Sequence, residues 1–125
     1  MRADPPPPDG REGDTPVDVR VQRLADDRAL LTVRGDLDLH TAHRLGDVLQ
    51  PLLSGDEHMV LVDLSAVTFL DSTGLTMLIS AYRTARSTGA RLALIAPSPP
   101  VREMLRLTGV DRVVDAYPSP DAVPR

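Results

Sequence analysis

The sequence predicts a single α/β domain with a mixed β-sheet of four to five strands and helices packed on it. Two kinds of segment alternate along the chain. Short runs of alternating or continuous apolar residues are typical of strands, and longer segments have apolar residues at helical spacing. The 125 residues are enough for one hydrophobic core and too few for two ordinary domains. Hydrophobic residues make up 42% of the chain and charged residues 26%, which is typical of a soluble globular protein.

The first half of the chain predicts a β-hairpin followed by a helix. Val17, Val19 and Val21 alternate with polar residues, and a second alternating segment covers 31–33 after a polar turn. A helix is expected to start near His40, with Pro51 kinking or ending it. Its apolar stripe is formed by Ala42, Leu45, Val48, Leu49 and Leu52.

The second half predicts a buried central strand and then two helix–strand alternations. The continuous apolar run Met59–Leu64 favours the central strand. A helix from Ser72 to about residue 87 is expected to end at Gly89, and another buried strand covers 92–96. Later elements are a helix capped by Ser98 and closed by Gly109, and a short edge strand at Val113 and Val114.

Both ends of the chain differ in composition from the middle. Residues 1–15 consist mainly of Pro, Asp, Gly and Arg and predict a disordered, Pro-rich N-terminal arm. Residues 118–125 are similar and predict a flexible C-terminal tail. The folded domain is therefore expected over residues 16–117.

Composition argues against several classes of function. The chain has no cysteine, which removes disulfides, thiolate metal sites and cysteine nucleophiles. All 14 cationic residues are arginine, so lysine-dependent sites such as P-loops, receiver domains and Schiff bases lose a required group. Aromatic residues are only 2% and the net charge is −4, which argue against a nucleic-acid partner. Since no signal peptide or membrane span is recognisable, we expect a cytoplasmic protein without a membrane partner.

The segment from Phe69 to Leu75 lies between a predicted buried strand and a predicted amphipathic helix. It places Ser72 and Thr73 at a helix N-terminus, where backbone N–H groups and the helix dipole favour negative charge. A phosphate on Ser72 would add about −1.5 to −2 charges, enough to repel a partner without unfolding the domain. The alternative is that the segment forms only a helix cap and a tight turn.

Four segments in the same order resemble the STAS domains of anti-sigma factor antagonists. They are Gly35–Asp38 with Thr41 and Ala42; Val60–Ser65 followed by Phe69–Leu75; Gly89–Leu92; and Pro100–Arg102 with Leu107–Val110. The resemblance covers about residues 17–116. It implies a mixed sheet with packed helices, no cofactor, no catalytic activity of the chain's own and a protein partner.

The resemblance implies that Ser72 is the phosphoacceptor in a partner switch. The partner would be an anti-sigma factor with a serine kinase fold, which uses ATP to phosphorylate Ser72 and stops binding the phosphorylated protein. A phosphatase acting on phosphorylated Ser72 would reverse the switch, and the chain would regulate transcription in a stress response. The partner-binding residues implied are Asp38, Thr41, Asp71, Ser72, Thr73, Gly74 and Leu75.

Three other interpretations of the polar residues carry less weight. A metal site could be formed by the polar cluster Asp36, Asp38, His40 and His43. This cluster lacks a clear set of metal ligands, and helix capping by Asp38 explains it better. Ser72 could be the nucleophile of a hydrolase, but the Gly-x-Ser-x-Gly motif of such enzymes requires a glycine at the position of Leu70. Asp63 as a phosphoaccepting aspartate lacks the lysine that such sites use.

An alternative function within the same fold is a STAS scaffold or accessory subunit. It would act in a stressosome-type or lipid-transport complex without controlling a sigma factor.

Overall fold

The computed structural model describes residues 17–124. The N-terminal arm predicted over residues 1–15 lies outside this range. Within it, the elements alternate between strands and helices in the predicted order, with one five-stranded sheet and three α-helices. The predicted α/β architecture is therefore confirmed.

The sheet is built in chain order, with each strand beside its sequence neighbour. The first two strands are antiparallel and all later pairs are parallel. Asp26 and Asp27 reverse the chain between the first two at positive φ, which Asp tolerates better than most residues. The strands are β1 (Asp18–Leu24), β2 (Arg28–Leu37), β3 (Met59–Leu70), β4 (Arg91–Ile95) and β5 (Ala116–Tyr117).

Three helices supply the crossovers between the parallel strands, and all contribute to the larger core. The core joins their apolar faces to alternate residues of the central strands, such as Leu31 and Val62. Because alternate strand residues point to opposite faces of a sheet, these contacts place the helix layer on one face. The helices are α1 (Ala42–Leu53), α2 (Ser72–Thr88) and α3 (Pro99–Thr108).

The opposite face of the sheet carries a smaller apolar cluster that the C-terminal residues cover. Val123 is 3% exposed and packs there. A 3-10 turn, Pro120–Ala122, brings it into place. Within the tail predicted over residues 118–125, the described residues 118–124 include this 3-10 turn and a buried side chain. The cluster's other buried members are Met59, Leu61, Ala93 and Ile95.

Several element boundaries also differ from the prediction. Strand β3 was predicted over Met59–Leu64, but it continues to Leu70. The second half of β3 is more polar, and it is extended because β2 pairs with it beyond the point where the pairing with β4 ends. Helix α1 starts at Ala42 rather than near His40, and it continues two residues past Pro51. The strand predicted at Val113–Val114 is wrong: Val114 is a core residue after a 3-10 turn, and the edge strand lies at Ala116–Tyr117.

Candidate functional site

The predicted signal segment forms the junction between β3 and α2. Asp71 is the N-cap of α2, and its Oδ1 accepts hydrogen bonds from the backbone N–H groups of Thr73 (2.8 Å) and Gly74 (3.1 Å). Its carbonyl accepts the N–H of Leu75 at 3.0 Å. The side chain of one aspartate thus satisfies two of the free donors at the start of the helix and helps to fix the direction in which α2 leaves the sheet.

Ser72 is the first residue of α2, and it is exposed. Among residues 17–124 no protein group forms a hydrogen bond with its hydroxyl, whereas its carbonyl accepts the hydroxyl of Thr76 at 2.8 Å. Thr73, the neighbouring hydroxyl residue, is half-buried. The Ser72 hydroxyl is thus open to a modifying enzyme, and in this part of the chain no base is placed to activate it as a nucleophile.

Gly74 permits a close approach between the first turn of α2 and the end of β2. A Cβ atom at this position would lie 2.6 Å from the carbonyl oxygen of Leu37 and 2.6 Å from Cδ1 of Leu70. The same Leu37 carbonyl accepts the backbone N–H of Asp71 at 3.2 Å. Any side chain larger than hydrogen would therefore push α2 away from the sheet.

The loop between β2 and α1 is held by hydrogen bonds of its own. Asp38 Oδ1 accepts the backbone N–H groups of His40 (2.9 Å) and Thr41 (3.2 Å). The Thr41 hydroxyl accepts the N–H of Asp38 at 3.0 Å and donates to the carbonyl of Asp36. Thr41 is the N-cap residue itself, so Asp38 supports the helix start from one turn earlier rather than capping it directly.

These bonds engage the Asp38 carboxylate that a metal site would need. Over residues 17–124 no group of three or more His, Cys, Asp or Glu side chains is arranged to hold a metal ion. The carboxylate of Asp63, the other acidic candidate, accepts the backbone N–H of Ser65 at 2.9 Å. These aspartates therefore act here as backbone acceptors that shape turns.

The two predicted partner-binding segments meet at one edge of the sheet. Residues 38–41 follow directly after Leu37, which contacts the 71–74 segment through its carbonyl. Asp38, Thr41, Asp71 and Thr73 are half-buried and Ser72 is exposed, whereas Gly74 and Leu75 are buried. The two buried residues therefore shape the surface from beneath, and the other five contribute to the surface itself.

Two apolar side chains beside this surface were not predicted. Leu39 is 69% exposed and Phe69 is 48% exposed. Leu39 precedes the apolar stripe of α1, and Phe69 is paired with Asp36 across the β2–β3 ladder three residues before Ser72. In the sequence, Leu39 could have been recognised as an apolar residue in a polar loop. Phe69 gives no such signal, since alternation alone does not indicate which face of the extended strand is left open.

None of the helices within residues 17–124 is long and apolar enough to cross a membrane.

The chain matches a family model and is similar to several known proteins. Residues 21–115 match a family model described as "Mlab, STAS domain". An anti-sigma-B factor antagonist of Listeria monocytogenes serovar 1/2a is 22% identical over 79% of this chain and 87% of its own length. A protein of the same name from Staphylococcus epidermidis is 29% identical over 68% of this chain and 79% of its own.

A solved structure shows the same likeness. The crystal structure of an anti-sigma factor antagonist from Mycobacterium paratuberculosis superposes with a TM-score of 0.75 at 28% identity, covering 84% of this chain and 88% of that one. The family model spans most of the chain, from the middle of β1 to the residue before β5. Sequence and fold therefore agree, and the chain belongs to the STAS domain family.

Proposed function

We propose that this protein is an anti-sigma factor antagonist whose binding to an anti-sigma factor is switched off by phosphorylation of Ser72. The partner carries a serine kinase fold and uses ATP to modify Ser72, and a phosphatase removes the phosphate. The chain contributes a binding surface and no catalysis of its own, and it acts in the cytoplasm. The likeness to named anti-sigma factor antagonists supports this role.

The single observation that carries the switch is the exposed Ser72 hydroxyl beside an already occupied helix cap. Asp71 accepts the N–H groups of Thr73 and Gly74, the donors that would otherwise attract an anion to the helix N-terminus. A phosphate on Ser72 therefore stays at the surface, next to the Asp71 carboxylate. It adds about −1.5 to −2 charges there and leaves the core of the domain untouched.

The surroundings of Ser72 are suited to binding a protein. Leu39, in the loop of residues 38–41, and Phe69, near the end of β3, expose apolar area, and the hydrogen-bonded loop needs little ordering when it binds. Apolar contacts around a rigid polar centre are typical of interface cores. A doubly charged phosphate in such an interface would have to be desolvated, which opposes binding.

The experiment compares the unphosphorylated protein with two Ser72 variants. The purified chain is incubated with anti-sigma kinases and ATP, and the modified residue is located by mass spectrometry. Binding is measured for wild type, Ser72→Ala and Ser72→Asp. We expect phosphate on Ser72, retained binding by Ser72→Ala, and binding at least about tenfold weaker for Ser72→Asp, since an introduced interface charge costs more than about 1.4 kcal/mol.

The matched control is Ser80→Asp, which places the same charge on an exposed serine further along α2. It should bind like the wild type. Equal weakening by Ser72→Asp and Ser80→Asp would mean that general charge, rather than the Ser72 site, governs binding. Phosphate on Thr73 instead of Ser72 would also contradict the proposal.

A second candidate is a STAS scaffold or accessory subunit of a stressosome-type or lipid-transport complex. The description of the matched family model, which names Mlab rather than an anti-sigma factor antagonist, favours it. The same experiment separates the two functions. If several anti-sigma kinases neither bind nor phosphorylate the protein, the scaffold function is better supported than the antagonist function.

A further inference from the structure

The end of the sheet opposite Ser72 contains a buried arginine that has no acidic partner among residues 17–124. Arg28 is 8% exposed. Across residues 17–124, the hydrogen bond of its guanidinium is a donation from Nη2 to Met59 Sδ at 3.5 Å, and no carboxylate pairs with it. A guanidinium has five N–H donors, and a thioether sulfur is a weak acceptor. Burial of such a charge is costly unless other acceptors reach it.

A second arginine lies on the same rung of the sheet. Arg28 on β2 is paired with Met59 on β3, and Met59 is paired with Arg91 on β4. Neighbouring strands are about 4.8 Å apart, so the Cα atoms of the two arginines are separated by roughly 10 Å. The residues that follow them, Ala29 and Leu92, belong to the core under the helices. Both arginines therefore point to the opposite face of the sheet.

The two arginines line a common pocket. Its volume is about 350 Å³, within the range of about 300–1,000 Å³ usual for small-molecule sites. Among residues 17–124, the lining contains the cations Arg28 and Arg91 and the carboxylate of Asp26, so the formal charge of these lining residues is positive. The remaining lining residues are His58, Met59 and Pro124.

We propose that this pocket binds a phosphate group, either as free phosphate or as part of a small phosphorylated molecule. The oxygens of one phosphate can accept hydrogen bonds from two guanidinium groups, and Arg binds phosphate in a two-pronged geometry. Met59 between them provides an apolar floor. Because Arg28 is buried, its bond to an anion is little weakened by solvent.

This site is separate from the proposed switch. It lies where β2, β3 and β4 begin, and Ser72 follows the end of β3. Twelve residues of strand separate the two ends, which corresponds to roughly 30 Å or more at the usual rise per residue. Phosphate binding here and partner binding at Ser72 can therefore be tested independently.

The test is a titration of the full chain with inorganic phosphate at low ionic strength, followed by NMR of the arginine side-chain Nε–H groups. We expect saturable shifts of the Arg28 and Arg91 signals. Arg91→Ala, a substitution at an exposed position, should weaken binding by about tenfold or more, the usual effect of losing a charge-assisted hydrogen bond. Sulfate should compete, and acetate, with two oxygens, should compete poorly.

Two comparisons complete the test. Glycerol phosphate binding more tightly than inorganic phosphate assigns the pocket to a phosphorylated molecule, and equal affinity assigns it to free phosphate. The matched control, Arg83→Ala, removes an exposed arginine from α2 and should bind phosphate like the wild type. If Arg91→Ala and Arg83→Ala both bind phosphate as the wild type does, or if acetate competes as well as sulfate, the proposal is wrong.

Discussion

At the scale of single residues, different side chains at the junction cap helix α2 and present a hydroxyl group at the surface. Asp71 satisfies the start of α2, and Ser72 is left with an exposed hydroxyl. From the sequence alone, Thr73 could be modified as well as Ser72, because the two hydroxyl residues are adjacent. Burial separates them: Thr73 is half-buried and donates its backbone N–H to the cap. This difference favours Ser72 over Thr73 as the proposed phosphorylation site.

Gly74→Ala tests whether the junction depends on close contact with β2. The added Cβ would lie 2.6 Å from the backbone carbonyl of Leu37, which cannot move without moving the strand. Alanine favours helix by up to about 1 kcal/mol, but overpacking against backbone typically costs about 1–3 kcal/mol. We expect a net loss of about 1–2 kcal/mol in the free energy of unfolding, measured by urea denaturation.

Gly46→Ala is the matched control, because it makes an equally close contact with a softer neighbour. Its Cβ would lie 2.6 Å from Cε of Met77, the end of a flexible side chain that can rotate away. This variant should be neutral or slightly stabilising. If Gly74→Ala proves as stable as Gly46→Ala, the close approach at Leu37 does not constrain the site.

At the scale of secondary structure elements, α3 is tied to the sheet by a residue whose role was predicted incompletely. Ser98 was predicted to cap α3, and it is the N-cap residue, but its hydroxyl makes no capping bond. The hydroxyl donates instead to the carbonyl of Val67 on β3 at 2.7 Å, in a buried position. Local sequence indicates a cap because Ser before Pro is a helix start, but it contains no information about an acceptor 31 residues away.

Ser98→Ala should therefore weaken the attachment of α3 to the extended half of β3. Loss of a buried hydrogen bond that leaves its acceptor without that donor costs about 1–2 kcal/mol. The measurement is the urea midpoint and slope of wild type and variant. Ser87→Ala, at an exposed serine whose hydroxyl bonds to Thr84 within α2, should change stability by less than about 0.5 kcal/mol. Equal effects of the two substitutions would mean that the Ser98 bond contributes no tertiary stability.

The second half of β3 could not be predicted from the local sequence. The apolar run Met59–Leu64 predicted the strand, but the following six residues mix polar and apolar side chains and were not predicted as strand. They are extended because β2, with two register shifts, pairs with them as far as Leu37 and Leu70. That pairing carries the chain to the edge where Asp71 begins α2, so the site's position depends on a long-range contact.

At the scale of the whole molecule, the order of elements and one face of the core could be predicted, because strand and helix periodicities are local properties. The helix-covered face follows from apolar residues such as Leu31, Val62 and Leu78. The opposite face could not be predicted, because Val123 looks like one apolar residue in a polar, Pro-rich tail. Its burial depends on the whole sheet being formed first. The meeting of residues 38–41 with 71–74 was expected only through the family resemblance.

Val123→Asp tests whether the C-terminal residues are part of the folded domain. The side chain is 3% exposed and packs with Leu61 and Ile95 on the face of the sheet opposite the three α-helices. A carboxylate there would be buried among apolar groups without a partner, which costs at least about 2–3 kcal/mol unless the segment detaches. If it detaches, the apolar surface it covered becomes exposed to water, which costs stability as well. Either way, urea denaturation should show a clear loss, whereas Ala122→Asp, at the exposed neighbouring position, should stay within about 0.5 kcal/mol of wild type. If Val123→Asp is as stable as Ala122→Asp, the domain ends before Pro118 in energetic terms, as the composition of the tail alone predicted.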